Sequence, residues 1–404
     1  MKIVIINHSD TLGGASVVSM RLMEALRKSG HDARMLVSRK LSDNPYVEEC
    51  GRNLRGKFCF LAEHARIYMS CGFNRRNLFK ISIANVGLPL SQHHLVRNAD
   101  VVMLNWVNQG MLSLREIGRI AASKPVIWTM HDMWCMTGVC HHAGYCLRFE
   151  GQCGYCPLIR KGASFKDLSR NTWLRKHELN SRYSIHYVAV SRWLAARAKE
   201  SSLLSGAHVE VIPNAFPTEE FPAARKRTPG IMRIVMGAAR LDDPIKNLPA
   251  AIEALNIVAE KRPDGIEAVF FGEIRDPSLL ERLRMPFRHL GTVRDTPTLA
   301  RLYGDSKVVL STSLYETLPG TVIEGMSAGC VAVTTDAGGQ ADIVDHLQTG
   351  YIAHSGDVED IAQGILWALD ADIEPMQQHS AIERKFSSHN VAMKYVELIN
   401  DIIK

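Results

Sequence analysis

The feature that most constrains this chain is a repeated alternation of short, uninterrupted apolar runs with helical stretches. Residues 2–6, 34–37, 100–104, 125–130, 187–190 and 209–212 read as strands, and residues 233–236, 268–271, 308–311 and 331–334 form a second series. The runs are continuous rather than alternating, as expected for parallel strands covered on both faces. Between the first two, Val17, Met20, Leu22, Met23 and Leu26 recur at helical spacing over residues 16–28, and Gly30 closes the helix. Residues 248–261 and 389–403 are further amphipathic helices. The two series are separated by residues 213–230, which carry Pro213, Pro217, Pro222 and Pro229 with the basic Arg225, Lys226 and Arg227, the composition of a linker.

The predicted fold class is therefore α/β, with two Rossmann-like parallel-sheet domains and an interdomain cleft. The expected boundaries are 1–215, 216–388, and a last helix at 389–404 that crosses back to the first domain. A length of 404 residues suits two domains better than one core. In doubly wound sheets ligands bind beyond the carboxyl ends of the strands, so the informative residues should lie just after strands.

The clearest such segment is VVLSTSLYETLPGTVIEGMSAG, residues 308–329. A strand ends near Thr312, a loop follows, and a helix is expected from Thr321. Thr321 and Glu324 fit a capping box. That pattern leaves Glu316 unexplained, as it does the tight Leu318, Pro319, Gly320, Thr321 stretch, which would aim backbone N–H groups outward. A helix N-terminus with open N–H groups is an anion site. A second segment, GAARLDDPIKN at residues 237–247, also follows a strand and brings Arg240 and Lys246 to the same region. Two fixed cations there would stabilise the negative charge of a departing diphosphate. A third strand ends at His131 and Asp132, facing the cleft from the first domain. The Gly13, Gly14 loop opens a helix and permits close backbone approach. It lacks G-x-G-x-x-G, which argues against a dinucleotide fingerprint.

Cys140, Cys146, Cys153 and Cys156 crowd into the loop 140–156, beside His141 and His142. Four soft ligands can close a structural zinc site. Free thiols and one redox-sensitive disulfide are the other readings of the same residues. A catalytic zinc is disfavoured, because four protein ligands leave no open position.

The net charge of +6 draws on residues 52–80 and 160–176. It reads either as a solvated surface or as contact with an anionic membrane or lipid-diphosphate. No compact basic run is interleaved with aromatics, which argues against nucleic acid. No apolar run approaches the roughly 20 residues of a membrane span. The start MKIVIINHSD turns polar too early for a signal peptide. The expected location is cytoplasmic, with peripheral contact at the cytoplasmic face of the inner membrane.

Taken together these segments resemble the retaining glycosyltransferases of family 4, which have the GT-B architecture. Glu316 and Glu324 match the E-x7-E pattern of that family, and Arg240 with Lys246 and Asn247 match its Arg and Lys-Asn signature. Ile212-Pro213-Asn214 matches the I-P-N that commonly closes the first domain. Gly338-Gly339 with Asp342 is similar to its G-G-x-x-E, with aspartate for glutamate. Residues 131–157 resemble a bacterial exopolysaccharide and capsule subgroup, with Cys135 and Met136 where Pro-Phe is usual, and Ser16 stands where glutamate is common.

The resemblance implies a nucleotide-sugar donor, retention of configuration, no catalytic divalent metal and a glycan or lipid-diphosphate saccharide acceptor. It implies that Arg240 and Lys246 hold the diphosphate, Glu324 the ribose, and Gly272, Glu273, Thr292 and Val293 the base. Glu316 and His131 would contact the sugar. Two mechanisms are open, Glu316 as a nucleophile or attack of the acceptor from the leaving-group face, and the second is favoured. The other function classes open to such a chain are a GT-B epimerase or phosphorylase and a sugar-nucleotide-binding regulator. A zinc-stapled nucleic-acid module lacks a recognition helix at finger spacing.

Overall fold

The computed structural model describes residues 1–52, 54–159, 162–223 and 230–404. The chain divides into two compact units, Met1–Ala215 with Val391–Lys404, and Phe216–Asn390.

The first unit holds seven strands: β1 Lys2–Ser9, β2 Asp32–Arg39, β3 Val47–Glu49, β4 Val101–Leu104, β5 Val126–Met130, β6 Ile185–Ala189 and β7 Val209–Val211. Their order is β3-β2-β1-β4-β5-β6-β7, and every pairing is parallel. The second unit holds β8 Met232–Arg240, β9 Ile266–Glu273, β10 Phe287–His289, β11 Val308–Ser311, β12 Val331–Thr335 and β13 Gly350–Ala353. These run in the order β10-β9-β8-β11-β12-β13, again all parallel. The strand order reverses between β1 and β4 in one sheet and between β8 and β11 in the other. Each reversal opens a crevice at the strands' carboxyl ends, because the crossovers leave it on opposite faces.

Strands β4, β5, β11 and β12 are buried at every position. This is why they appear in sequence as unbroken apolar runs. The strands that the apolar pattern misses lie at or next to sheet edges. β10 is exposed at all positions, and β3 and β13 are only partly buried. The helix Leu54–Ser70 lies within a stretch that reads in sequence as basic surface. Its inner face, Cys59, Glu63, His64 and Ile67, mixes polar with apolar groups. The buried Glu63 carboxylate accepts the backbone N–H groups of Ile83 and Ala84 at 2.7 and 2.9 Å.

The proline-rich stretch is not an open linker in its described part. Phe216 and Phe221, set between the prolines, are buried, with ring centroids 5.3 Å apart. The Phe216 N–H donates to the Phe386 carbonyl at 2.9 Å. Arg225, Lys226, Arg227 and Pro229 lie outside the described residues, as do Arg160 and Lys161 of the second basic stretch. Among the described residues no helix is long and apolar enough to cross a membrane.

The helix Ser388–Ile403 contributes Val391, Ala392, Tyr395, Leu398 and Ile399 to the core built on β1, β2, β4 and the helix Gly14–Lys28. Within that core the Tyr395 hydroxyl lies 3.0 Å from Thr129 Oγ1 of β5. Tyr395→Ala should lower the melting temperature markedly, in line with a loss of about 3–5 kcal/mol for a buried aromatic. Tyr395→Phe, which removes only the hydrogen bond, should cost about 1 kcal/mol. Thermal denaturation of the two variants beside the parent checks the order.

Candidate functional site

The crevice of the second sheet is built from the residues that follow β8 and β11. Arg240 is the last residue of β8, beyond a register shift between Gly237 and Arg240. Its guanidinium lies 2.9 Å from Asp243 and 3.4 Å from Asp242. Arg240 Nε is buried and makes no hydrogen bond among the described residues. Asp242 is itself fixed, because its other oxygen accepts the N–H groups of Arg275 and Asp276 at 3.0 and 3.3 Å.

A short turn, Pro244–Lys246, follows, and Asn247 turns the chain at φ 54° into the helix Leu248–Lys261. Lys246 Nζ pairs with Glu316 Oε1 of the loop after β11. The two loops are also joined through backbone. The Leu314 N–H donates to the Ile245 carbonyl at 2.8 Å, and Thr312 Oγ1 donates to the carbonyls of Lys246 and Asn247 at 2.9 and 3.2 Å.

Glu316 is held from behind by the segment Gly338–Asp342. The Gly339 N–H donates to the Glu316 carbonyl at 2.7 Å. Gly338 has φ 80°, and a Cβ there would sit 2.1 Å from the same carbonyl oxygen. Fully buried Gln340 braces the arrangement. Its amide nitrogen reaches the Ser313 and Ala337 carbonyls and Thr335 Oγ1 at 2.9–3.1 Å, and its oxygen accepts from Ser311 Oγ at 2.6 Å. Gln340 was not singled out from sequence, although it stands inside the Gly-Gly motif.

The helix after this loop is Gly320–Ser327, capped by the backbone of Pro319 with no side-chain cap. The capping box expected from Thr321 and Glu324 does not form. Pro319 takes the extended cap position, so Thr321 falls one residue inside the helix. Glu324 Oε2 instead accepts from the buried Tyr303 hydroxyl at 3.4 Å. Gly272 and Glu273 are the last residues of β9 rather than following it. The Gly272 N–H donates to Gly291 at 2.7 Å, and His289 Nε2 lies 2.8 Å from the Gly272 carbonyl. This brings the chain before Thr292 and Val293 alongside the end of β9.

In the first unit His131 and Asp132 follow β5. Burial lowers His131 to about 4, against the opposing charge of Asp132, so its imidazole is neutral near pH 7. Burial pushes Asp132 up, but the His141 charge and hydrogen bond, with the Trp134 N–H, hold it at about 2. Asp132 Oδ2 lies 2.6 Å from His141 Nδ1 and accepts from Trp106 Nε1 at 3.0 Å. His141 Nε2 is 3.1 Å from Ser82 Oγ.

The crevice between β1 and β4 carries buried polar atoms that sequence reasoning missed. His8 Nδ1, Asn105 Oδ1 and Asn108 Nδ2 make no hydrogen bond among the described residues. The signal was available, since His8 sits near the end of β1 and Asn105 directly follows β4. Gly13 caps the helix Gly14–Lys28 at φ 87°, and a Cβ on either Gly13 or Gly14 would meet nothing within 4 Å.

The four clustered cysteines are all free thiols. Burial pushes the Cys140 thiol up to about 12 and the Cys156 thiol to about 11. Asp370, the last residue of the helix Val358–Asp370, pairs with Arg262 at 2.6 Å.

Two sheets with these reversals define the GT-B class, and solved structures share the fold over the whole chain. A glycosyltransferase from Rickettsia africae aligns with TM-score 0.65 at 15% identity, covering 100% of this chain and 98% of its own. Sucrose-phosphate synthase from Thermosynechococcus elongatus aligns with TM-score 0.65 at 14% identity, covering 99% and 98%. Anabaena HepE, solved with UDP and glucose, aligns with TM-score 0.61 at 16% identity, covering 99% and 100%.

The description Glycosyltransferase Family 4 matches residues 12–220, more than half of the chain, and Glycosyl transferases group 1 matches residues 233–371. The chain belongs to glycosyltransferase family 4. A curated relative, sulfoquinovosyl transferase SQD2 of Arabidopsis thaliana, is 35% identical over 115 residues. That match spans 27% of this chain and only 22% of the relative's length.

Two predictions follow from the geometry alone. Gly338→Ala should destabilise the second unit by about 1–3 kcal/mol, through its positive φ and the contact with Glu316. Gly320→Ala, whose added Cβ meets only Glu324 at 3.9 Å, should leave the melting temperature unchanged. Asp132 has a folded value of about 2 against 3.8 for an unperturbed carboxyl, so its contribution to stability is present above 3.8 and lost as pH falls toward 2. Asp132→Asn should therefore lower the melting temperature at neutral pH and flatten its fall in acid, read from melts across that range.

Proposed function

We propose that this protein transfers a sugar from a UDP- or GDP-sugar to a glycan or lipid-linked saccharide acceptor, with retention of anomeric configuration, in surface polysaccharide synthesis. The observation that carries the reading is the meeting of Arg240, Lys246 and Glu316 with the helix N-terminus at Gly320, in the crevice between β8 and β11. A diphosphate bound there takes over the two cations from their carboxylate partners. Lys246 exchanges Glu316 for a phosphate oxygen, and Glu316 is released toward the sugar. Arg240 Nε, 3.4 Å from Asp242 Oδ1 and without a hydrogen bond among the described residues, gains a closer acceptor. The first N–H groups of the helix Gly320–Ser327 face the same charge.

As the glycosidic bond breaks, negative charge grows on the leaving phosphate, and both cations strengthen their hold on it. The acceptor attacks from the leaving-group face, and that phosphate accepts its proton. Glu324 binds ribose hydroxyls. The ends of β9 and the chain at Thr292 and Val293 receive the base. His131, neutral at working pH, hydrogen-bonds a sugar hydroxyl without adding charge. HepE, solved with UDP and glucose and with UDP-glucose, supports a nucleotide-sugar donor.

A thermal-shift screen of UDP- and GDP-sugars should find a stabilising donor. Nucleotide release with that donor should then depend on an added saccharide acceptor. Lys246→Ala and Glu316→Ala should each cut turnover by about a hundredfold or more. A screen in which no sugar nucleotide stabilises the protein overturns the proposal, as does turnover that both variants leave intact. Release of free sugar or an altered nucleotide sugar without acceptor would make it an epimerase instead.

A further inference from the structure

We propose that Cys140, Cys146, Cys153 and Cys156 bind one zinc ion that staples the loop 140–156. The four residues follow a C-x5-C-x6-C-x2-C spacing, and all four line one pocket, with Gly138, Val139, Phe149 and Pro157 among its walls. None is in a disulfide. The set is all sulfur with four members, the composition of a closed structural zinc site.

The C-terminal part of the loop is held by the protein itself: the N–H groups of Cys153, Gly154, Tyr155 and Cys156 donate to the Arg148 carbonyl, Ser169 Oγ, the Ser164 carbonyl and Asp167 Oδ2 at 2.8–3.2 Å. Cys153, Gly154 and Tyr155 run consecutively at φ 45°, 119° and 46°. Such conformations persist only where the surroundings fix them. Tyr145 is fully exposed, and a Cβ at Gly144 would meet nothing within 4 Å, so the Cys146 arm lies against open space. The other arm is anchored, since Val139 and Cys156 pack with Ile67, Ile81, Ile83 and Ile159 in a small core of their own.

No three of the four sulfurs lie within 4.8 Å of one another. A tetrahedral zinc with bonds of about 2.3 Å needs sulfurs roughly 3.8 Å apart, so binding draws the Cys146 arm inward and also closes the sulfurs of Cys140, Cys153 and Cys156 on one another. Four Zn–S bonds form, four S–H bonds break, and the four protons leave to solvent. The resulting centre carries two negative charges.

The consequence reaches beyond the loop. Cys140 immediately precedes His141, whose ring is held between Asp132 and Ser82 and lies 5.4 Å from the Trp106 ring. A zinc bond at Cys140 fixes the backbone from which His141 reaches Asp132. The assignment does not depend on the transferase reading.

Among the described residues the only group whose ligand atoms already lie within 4.8 Å of one another is Glu48, His93 and His94. His93 Nδ1 accepts the Leu95 N–H at 3.3 Å, which places the ring proton on Nε2, the atom facing Glu48 at 3.2 Å. A metal would need that nitrogen bare, so this group is better explained as hydrogen bonds.

The test is metal analysis by mass spectrometry of the full chain, purified with a thiol reductant and without added metal. Stoichiometric zinc is expected, lost in Cys153→Ser and Cys156→Ser and kept in Cys50→Ser. Exchange with cobalt should give the visible bands of tetrahedral thiolate coordination. Four thiols that alkylate freely in metal-free native protein would overturn the proposal, as would disulfides among the four or iron in place of zinc. Zinc kept by the cysteine variants but lost in His94→Ala would place the ion at Glu48, His93 and His94, and would also overturn it.

Discussion

The constraint on which this structure depends is the need of a parallel sheet to be covered on both faces. Its strands are apolar on either side, so each connection must cross over the sheet before the next strand begins. Every strand of a sheet then ends at the same edge. Where successive crossovers switch faces, that edge carries a gap in the helical cover, and backbone groups and loop side chains line it. The gap beside β8 gathers Arg240, Lys246 and Glu316, residues separated by up to seventy-six positions in sequence. No special affinity between these segments is required, since the topology brings them to one place.

The charges in that gap illustrate how a polar site is kept ready. Each cation has a carboxylate partner before any ligand arrives, which avoids the cost of a partly buried, uncompensated charge. Glu316 is fixed through its carbonyl by Gly339, so its side chain can change partner while its backbone stays in place. Gln340 extends this brace across the ends of β11 and β12. The rigid element of the site is thus backbone and a neutral amide, and the exchangeable elements are the ionic side chains.

Much of this was legible from sequence. Central strands were visible because burial on both faces leaves no polar interruption. Arg240, Lys246 and Glu316 were visible because charged residues directly after such strands are conspicuous. Edge strands such as β10 carry no apolar signal and could not be read. The helix Leu54–Ser70 was hidden by its basic outer face and the polar groups on its inner one. Glu324 looked like part of a cap because local pattern cannot tell that Pro319 takes the cap position. His8, Asn105 and Asn108 went unnoticed for a different reason. Each carries one buried side-chain atom that makes no hydrogen bond among the described residues, which only packing reveals. Likewise the role of Gln340 depends on Ser311 and Ser313, more than twenty-five residues away, as well as on its neighbours Thr335 and Ala337.

The return of the last helix has a consequence for how the chain is made. The second unit is one continuous stretch and can complete its core as soon as residue 390 has left the ribosome. The first unit begins earlier but lacks Val391, Tyr395 and Ile399, which fill the space beneath β1 and β4. During synthesis its sheet therefore stands with apolar surface uncovered while more than 170 further residues are added. The unit begun first is the one completed last, so during synthesis it, rather than the second unit, carries the greater hazard of aggregation.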